Sequence, residues 1–303
     1  MKKINITVFT PTYNRKKKLK ECYRSLCEQT SYNFIWLIVD DGSSDNTEKE
    51  VSEFKKNSHF QIIYLRQQNY GKWYAVNKAI NTCTTDYFLF LDSDDRLANN
   101  AIEVLNEKIK EIDKNNLISG VIGNTYDVKK KSINGTKMPV ELRYKSGLEL
   151  MQKYKFHGDT LRMYKTKLLK ENMFPDIASE KFIPENVIYD KIDANYKLLL
   201  INDVLYYCDY LEDGYSKNIN KVRHNNPIGY SLGLKSTAEY SVTIKKKITS
   251  TILYIIWCLN FKIDFFSTFT NKPLIILLMP ISIIFNALKF PKFLFKSILI
   301  NDN

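Results

Sequence analysis

Apolar and polar segments alternate regularly over the first 125 residues. Apolar runs typical of buried strands occupy residues 4–9, 34–39, 60–65, 87–91 and 117–125. Between them, apolar residues at helical spacing predict helices over residues 17–29, 73–81 and 99–112. Strands that are apolar along nearly all their length and alternate with helices predict an α/β fold, with a mostly parallel central sheet flanked by helices.

Polar clusters follow the carboxyl ends of four of these strands. They read TPTYN at 10–14, DDGSS at 40–44, QNYGK at 68–72 and DSDD at 92–95, and residues 10–15 are predicted to form a turn. Parallel strands bring their carboxyl ends to one edge of the sheet, where open α/β sheets bind ligands. The pattern therefore predicts a ligand site at that edge.

The pattern changes after residue 125. Residues 128–138 are lysine-rich and predict a basic hairpin or loop, and residues 140–225 show no single periodicity. From residue 241 onward, long apolar runs are interspersed with lysines. We therefore divide the chain into residues 1–125, 126–240 and 241–303.

Half of the formal net charge of +12 lies in the last 63 residues, which contain eight lysines and two aspartates. Lysines among long apolar runs fit an anionic membrane surface better than a nucleic acid. The uncharged run 274–288 is interrupted by Pro280 and is shorter than the roughly 20 residues that span a bilayer. An interfacial or re-entrant membrane segment is predicted; a buried helical hairpin and a transmembrane helix remain alternatives.

The five cysteines are scattered and have no CxxC spacing, which argues against a disulfide framework or a zinc site. The amino-terminal apolar run is too short for a signal peptide, so the catalytic part is expected in the cytoplasm.

The aspartates of FLFLDSDD are the first candidates for chemistry. Asp92, Asp94 and Asp95 directly follow an apolar strand, and clustered carboxylates raise one another's pKa. A divalent ion, Mg²⁺ or Mn²⁺, relieves that repulsion. The alternative is a solvated strand end with an aspartate that caps the next helix.

Four segments, VFTPTYNR, VDDGSSDNT, QNYGKWYAVN and FLDSDD, resemble in order and spacing the nucleotide-sugar-binding half of family-2 glycosyltransferases. The segment EKFIPEN at 180–186 resembles the family's later acidic motif. The resemblance implies a GT-A (Rossmann-like) fold. Residues 1–125 would bind the nucleotide sugar, residues 126–240 would bind the acceptor and hold the catalytic group, and residues 241–303 would form a helical membrane-associating region.

The resemblance also implies roles on the nucleoside side. Pro11, Thr12 and Tyr13 would line the nucleoside pocket, and the flat Tyr13 ring can stack on a base. Asp41 would accept the uracil N3–H, with a helix-capping role as the alternative, while Asp40 is predicted to support the turn.

Further roles fall on the phosphate side. Asn69, Gly71 and Lys72 would lie beside the pyrophosphate, where glycine allows close approach and lysine supplies positive charge, although a surface loop is the usual meaning of such a segment. Asn77 would brace the site.

The D-x-D element would contact the sugar side and the metal. Asp92 and Ser93 would reach the ribose or the sugar. Asp94 would ligate the metal, and Asp95 would substitute for Asp94 or hold a metal-bound water; the sequence leaves these two open.

Glu185 matches the position of the base that takes the proton of the acceptor hydroxyl. The family commonly has a second acid at the next position, where this chain has Asn186. Glu180 and Asp190 are alternative bases, and a helix's first turn is the alternative role for Glu185.

Features outside these motifs give weaker signals. His157 and His224 are as compatible with structural as with functional roles, and the glycine and basic residues of 214–224 suggest a lid over a diphosphate.

The sequence therefore predicts an inverting, metal-dependent glycosyltransferase that moves a sugar from a UDP-sugar to a saccharide acceptor, which is expected to be lipid-linked. Its place would be the cytoplasmic face of the cell membrane, in cell-surface polysaccharide synthesis, without a nucleic-acid partner. One alternative is a sugar-phosphate nucleotidyltransferase, which would need a glycine-rich loop that TPTYNRKKK lacks. The other is a non-catalytic, membrane-associated nucleotide-sugar-binding or scaffold protein.

Overall fold

The computed structural model of the chain describes residues 4–177, 179–209 and 215–288. Its first part alternates strands with helices, as the apolar pattern predicts. The elements are β1 (Ile6–Thr12), α1 (Lys16–Cys27), β2 (Phe34–Asp40), α2 (Thr47–Asn57), β3 (Gln61–Arg66), α3 (Lys72–Thr82), β4 (Tyr87–Phe90), β5 (Arg96–Leu97), α4 (Ala101–Ile112) and β6 (Ile118–Asn124).

The second part is less regular. The basic segment 128–138 begins as part of a hairpin, because its residues Ser132–Ile133 pair antiparallel with Tyr126–Asp127 just before it. The elements are β7 (Tyr126–Asp127), β8 (Ser132–Ile133), a 3₁₀ turn (Val140–Leu142), β9 (Tyr144–Lys145), α5 (Gly147–Gln152), β10 (Thr160–Lys165), α6 (Thr166–Glu171), α7 (Asn186–Asp193), β11 (Lys197–Ile201), β12 (Tyr206–Cys208), α8 (Tyr215–Asn225), α9 (Pro227–Tyr240), α10 (Ile244–Phe261) and α11 (Lys272–Ala287).

The central sheet has eight strands in the order β3-β2-β1-β4-β10-β6-β11-β9. Strands β10 and β9 pair antiparallel with their neighbours, so the sheet is mixed, which corrects the predicted mostly parallel sheet. Thr160, the first residue of β10, pairs with Asn124, the last residue of β6. The chain therefore enters β10 at the edge where β6 stops, and it has to run back between β6 and β4.

A second, four-stranded sheet has the order β5-β12-β7-β8. Its strands β5, β7 and β12 follow β4, β6 and β11 along the chain, so this small sheet extends the carboxyl edge of the main sheet.

Both faces of the main sheet are buried, as predicted. Alternate residues of one strand point to opposite faces: Val8 packs in one apolar cluster and Phe9 in the other. Helices α1, α2 and α4 contribute to the first cluster, and α3, α6 and α7 to the second.

The last helices form a third apolar cluster. Helix α10 packs against α9 and α11, and Ile255 and Cys258 are buried there. Helix α11 buries Ile275 and Leu278, but its other face exposes apolar side chains: Ile276, Leu277, Ile281, Ile283 and Ile284. Across the residues that the structure describes, no helix has both the length and the apolar character to cross a membrane. The flanking Lys289, Lys292 and Lys296 lie outside those residues.

Candidate active site

The site begins where β1 and β4 separate. The turn predicted for residues 10–15 starts later than expected, because strand β1 continues as far as Thr12, which pairs with Asp40 of β2. On the other side, the Leu91 N–H donates to the Phe9 carbonyl (2.9 Å), and the next bond of that ladder would need an N–H on Pro11. Because proline has none, pairing with β4 ends there and the loop of residues 92–95 opens.

Asp95 is held inside the protein. The Tyr206 hydroxyl donates to its Oδ2 (2.8 Å) and the Asp209 N–H to its Oδ1 (3.3 Å). Burial, together with the charges of Asp92 and Asp94, raises the pKa of Asp95 to about 8. Tyr206 also accepts the Asp92 N–H (3.0 Å), so one hydroxyl shapes the loop at two points.

Asp94 differs from Asp95 in its partners. It accepts a hydrogen bond from its own N–H, and no other described residue donates to its carboxylate. Burial and the charge of Asp92 raise the pKa of Asp94, while Arg15 and Lys72 act against this rise. Asp94 thus keeps more unused oxygen lone pairs than Asp95, and these could accept a cation. Ser93, between Asp92 and Asp94, is buried.

Lys72 joins the loop to the predicted base. Its Nζ lies 2.8 Å from an oxygen of Asp92 and 2.8 Å from Oε1 of Glu185, and its side chain is about one third exposed. Burial opposes the charge of Lys72, but the two carboxylates outweigh it and hold the pKa well above its ordinary value. The loop after β4 and the segment before α7 therefore meet at the ammonium group of α3, through Asp92 and Glu185.

Glu185 is the residue directly before α7, and its side chain makes no capping hydrogen bond to that helix. Its Oε2 accepts a hydrogen bond from the Tyr189 hydroxyl (3.1 Å). Burial would raise the pKa of Glu185, but Lys72 and Tyr189 outweigh burial and lower it. The carboxylate is therefore ionised and can accept a proton.

The alternative bases have structural partners. Glu180 is buried and accepts the N–H of Ile228 (2.7 Å) and that of Gly229, at the start of α9. Asp190 accepts from the Asn186 side chain (2.8 Å), and burial raises the pKa of Asp190 to about 7. Both acids therefore serve the packing of α9 in this structure.

Asn186 occupies the position of the missing second acid. Its amide nitrogen donates to Asp190, to the Gly233 carbonyl (3.0 Å) and to the Thr237 hydroxyl (3.1 Å). A carboxylate has no N–H to offer to these acceptors. Asn186, which departs from the family pattern, thus links α7 to α9.

Asp41 organises the loop that follows β3. It accepts hydrogen bonds from the Gln67 side chain (2.8 Å) and from the N–H groups of Tyr70 and Gly71 (2.9 Å each). Burial raises the pKa of Asp41 against these donors. The carboxylate thus has three protein donors before any base binds.

Only glycine fits at position 71, because of its backbone angle and the close packing of Lys181. Its φ is +97°, and a Cβ there would lie 1.9 Å from the Lys181 carbonyl oxygen. The close approach predicted for this glycine is therefore made to Lys181, in the segment that leads to Glu185. Asn69 lies in the same loop and lines an open groove of about 640 Å³ with Gly42, Arg66, Gln67 and Gln68.

Two buried polar atoms in the predicted nucleoside-binding region lack partners among the described residues. They are the Thr12 hydroxyl oxygen and the Gln67 side-chain carbonyl oxygen. Buried polar atoms are usually hydrogen-bonded, so each is available to a ligand. Tyr13 is 47 % exposed and can offer its ring to a base.

One predicted supporting role is confirmed. Asp40 accepts the Ser43 N–H (2.7 Å) and the Tyr64 hydroxyl (2.6 Å), so it supports the turn. Asn77 makes two hydrogen bonds with the backbone of Phe174 (2.9 and 3.0 Å), and its predicted role at the site stays a prediction.

His157 hydrogen-bonds Thr136, and the His224 ring contacts Phe261. Residues 215–224 of the predicted lid lie in α8, and Gly214 lies outside the described residues.

Sequence reasoning missed Tyr206, Tyr189 and Gln67. Tyr206 and Gln67 lie outside any motif that names their partners, whereas Tyr189 could have been found from its position four residues after Glu185 on a predicted helix. Among the described residues, no three His, Cys, Asp or Glu side chains converge on a metal position.

The family description "Glycosyl transferase family 2" matches residues 7–173, more than half of the chain. The glycosyltransferase GlyG of Streptococcus pneumoniae is 29% identical over 215 residues, which cover 66% of this chain and 69% of GlyG. Matched segments span 15% to 69% of the length of the first curated relatives.

Solved structures share the fold. TarS 1-349 of S. aureus in complex with UDP-GlcNAc is similar with a TM-score of 0.60 and 19% identity, over 85% of this chain and 73% of that chain. The mannosyltransferase PcManGT of Pyrobaculum calidifontis, in complex with GDP-Man and Mn²⁺, has a TM-score of 0.51 and 14% identity, over 85% and 65%. The chain has the GT-A fold and is a glycosyltransferase that belongs to glycosyl transferase family 2.

Proposed function

We propose that the protein transfers a sugar from a UDP-sugar to a hydroxyl of a saccharide acceptor, with inversion at the anomeric carbon. The observation that carries this proposal is the Lys72 bridge. It connects Asp92, on the donor side, to the ionised Glu185 at 2.8 Å each. A general base that takes the acceptor proton and a cation that stabilises the departing diphosphate would both favour a direct displacement.

The donor is proposed to be a UDP-sugar because of the chemistry around Asp41. Tyr13 offers a ring, and the unpartnered Thr12 and Gln67 oxygens offer polar contacts to a base. Asp41 would bind uracil through a remaining lone pair, since its two oxygens have about four lone-pair sites and three are used. The similarity to TarS, whose structure holds UDP-GlcNAc, supports this choice.

The transfer is one displacement. The acceptor oxygen forms its bond to the anomeric carbon as the bond from that carbon to the diphosphate oxygen breaks, and the diphosphate leaves with the electron pair. Glu185 takes the acceptor proton and becomes neutral. Lys72 then pairs with the negative charge of the leaving diphosphate instead of with Glu185. A single displacement inverts the configuration.

A divalent ion is proposed to arrive with the donor. Mg²⁺ or Mn²⁺ typically takes one or two protein carboxylates plus phosphate oxygens, and Asp94 has the carboxylate capacity for it. Such an ion would neutralise charge on the diphosphate. Asp95, with two protein donors, is proposed to support the loop instead.

The acceptor is proposed to be a lipid-linked saccharide at the cytoplasmic face of the membrane, in cell-surface polysaccharide synthesis of the capsule or teichoic type. The exposed apolar face of α11 and the lysines near α10 and α11 support a peripheral or monotopic attachment. A teichoic acid polymerase among the relatives supports the class of product.

The test measures UDP release and sugar transfer with a panel of nucleotide sugars, with and without Mn²⁺. Glu185→Gln should lower transfer by about 10² to 10⁴ while the dissociation constant for UDP stays unchanged, because a general base contributes that much. Full transfer by Glu185→Gln would refute the assigned base, and no UDP release from any donor would refute the enzyme's donor class.

A further inference from the structure

The Glu185 carboxylate is held by two donors on different elements. Lys72 of α3 lies 2.8 Å from Oε1, and the Tyr189 hydroxyl of α7 lies 3.1 Å from Oε2. Tyr189 follows Glu185 by four residues, one turn along the helix, so it can reach back to the residue that precedes α7. Lys72 itself also binds Asp92, whereas Tyr189 has no such second carboxylate among the described residues.

The ring of Tyr189 is fixed on three sides. It stacks on Tyr164 (centroids 5.5 Å apart, planes at 19°) and meets the edge of Phe90 (5.8 Å, 85°). The guanidinium carbon of Arg162 lies 4.6 Å from the ring centroid. Phe90 is the last residue of β4, so the same ring touches the strand that carries the DSDD loop. These contacts leave the hydroxyl little freedom to turn away from Glu185.

Arg162 is a buried cation with its own set of partners. Its Nη1 donates to the Tyr164 hydroxyl (2.7 Å) and lies 3.4 Å from Asp193, and its Nε donates to Thr160 (3.0 Å). Burial raises the pKa of Asp193 to about 6, with Arg162 acting against that rise. Gly147 makes room for this pair, because a Cβ there would lie 2.2 Å from the Asp193 oxygen.

The charges around Glu185 and Tyr189 favour an ionised carboxylate and a protonated hydroxyl. Burial and the charge of Glu185 raise the pKa of Tyr189 well above its ordinary value, so the hydroxyl remains a donor. The groups that face Glu185 are Lys72 from α3, Tyr189 from α7 and, behind that ring, Arg162 from β10. All three favour the ionised carboxylate.

We propose that Tyr189, supported by Arg162, is a positioning residue that holds the Glu185 carboxylate in one orientation for the acceptor hydroxyl. This inference rests on the proposed function, in which Glu185 is the base. Lys72 alone would leave the carboxylate free to rotate about the line to its ammonium group, and Tyr189 fixes the second oxygen. The hydroxyl stays on Glu185 when Lys72 turns to the diphosphate.

The test is Tyr189→Phe, which removes one oxygen and keeps the ring. We expect kcat to fall about tenfold through lost orientation, while KM for the donor changes less than about twofold. Loss of a donor to the carboxylate should also move the acid limb of the kcat/KM profile upward by about half to one pH unit. The matched control is Tyr196→Phe, since Tyr196 packs on the same apolar cluster and should leave all three quantities unchanged.

Glu185→Gln separates the two ways to fail. If Glu185→Gln is active, the base assignment fails. If it is inactive and Tyr189→Phe keeps the kcat and the acid limb of the unmodified enzyme, the positioning role is overturned while the base stands. Thermal unfolding checks that Tyr189→Phe is folded at the assay temperature. If Tyr189→Phe is not folded, Arg162→Lys is measured instead. An upward shift of the acid limb of its kcat/KM profile supports the positioning role, and an unchanged profile overturns that role.

Discussion

Two glutamates five residues apart should show opposite phenotypes. Glu180 accepts two backbone N–H groups at the start of α9, and Glu185 bonds side chains at the edge of the site. Replacing Glu180 with alanine leaves the Ile228 and Gly229 donors without their acceptor, in a place where Gly229 packs against the Phe182 carbonyl. A hydrogen bond to a charged group contributes roughly 1.5 to 3 kcal/mol, and water can replace part of it, so Glu180→Ala should cost about 3 to 5 kcal/mol of unfolding free energy.

Glu185→Ala should change the unfolding free energy by less than about 1 kcal/mol, because Glu185 is about one third exposed and Lys72 keeps Asp92 as a partner. Urea unfolding followed by tryptophan fluorescence measures both variants. Trp73 is a suitable probe, since its indole N–H donates to the Glu180 carbonyl (2.8 Å). The exposed Glu141→Ala serves as the control.

Two results would refute this reasoning. Glu180→Ala within 1 kcal/mol of the unmodified protein would show that the α9 contact adds no stability. Equal destabilisation by Glu180→Ala and Glu185→Ala would show that Glu185 is a structural residue as well.

Four further predictions concern the metal, the donor loop, Asn186 and the membrane face. Asp94→Asn should abolish the stimulation of UDP release by Mn²⁺, whereas a matched Asp86→Asn, at the opposite end of β4, should keep it; stimulated release by Asp94→Asn would exclude the ligand role. Gly71→Ala should lower the melting temperature and should reduce the rate of transfer by tenfold or more, because the added Cβ would overlap the Lys181 carbonyl. A variant with unchanged stability and transfer would contradict this tight contact. Asn186→Asp should place a second carboxylate against Asp190, whose pKa burial raises to about 7; the loss of stability should be largest at pH 8 and shrink as pH falls through 7 and Asp190 gains a proton, and a loss independent of pH would refute it. Leu277→Asp on the exposed face of α11 should reduce co-flotation with vesicles that contain anionic lipid, while Glu141→Gln should not, and equal flotation of both variants would remove the membrane face from α11.

Local pattern explains why the first part of the fold could be predicted. Each strand from β1 to β4 is a nearly continuous apolar run because helices cover both faces, and the polar clusters had to meet at one edge. The position of β10 could not be predicted, since it depends on pairing with β4 and β6 from a segment without clear periodicity.

Long-range contacts account for what was missed at the site. The sequence left Asp94 and Asp95 equivalent, and what separates them is Tyr206, which is 111 residues away from Asp95. Likewise, Glu180 and Glu185 both lie in the segment that resembles the acidic motif, and the hydrogen bonds from α9 to Glu180 separate a residue that holds this helix from the proposed base. Pairwise partners of this kind have no signature in a single sequence.

The insertion of β10 between β4 and β6 has a consequence for how the protein can be made. Until residue 165 has left the ribosome, β4 is an unpaired edge that presents Tyr87, Phe88, Leu89 and Phe90, a short apolar segment of the kind that joins other chains. A fragment that stops at residue 125 therefore keeps most of the residues proposed to bind the donor and still lacks the strand that covers β4. We expect such a fragment to aggregate, so the solubility of residues 1–125 depends on a strand from the later part of the chain.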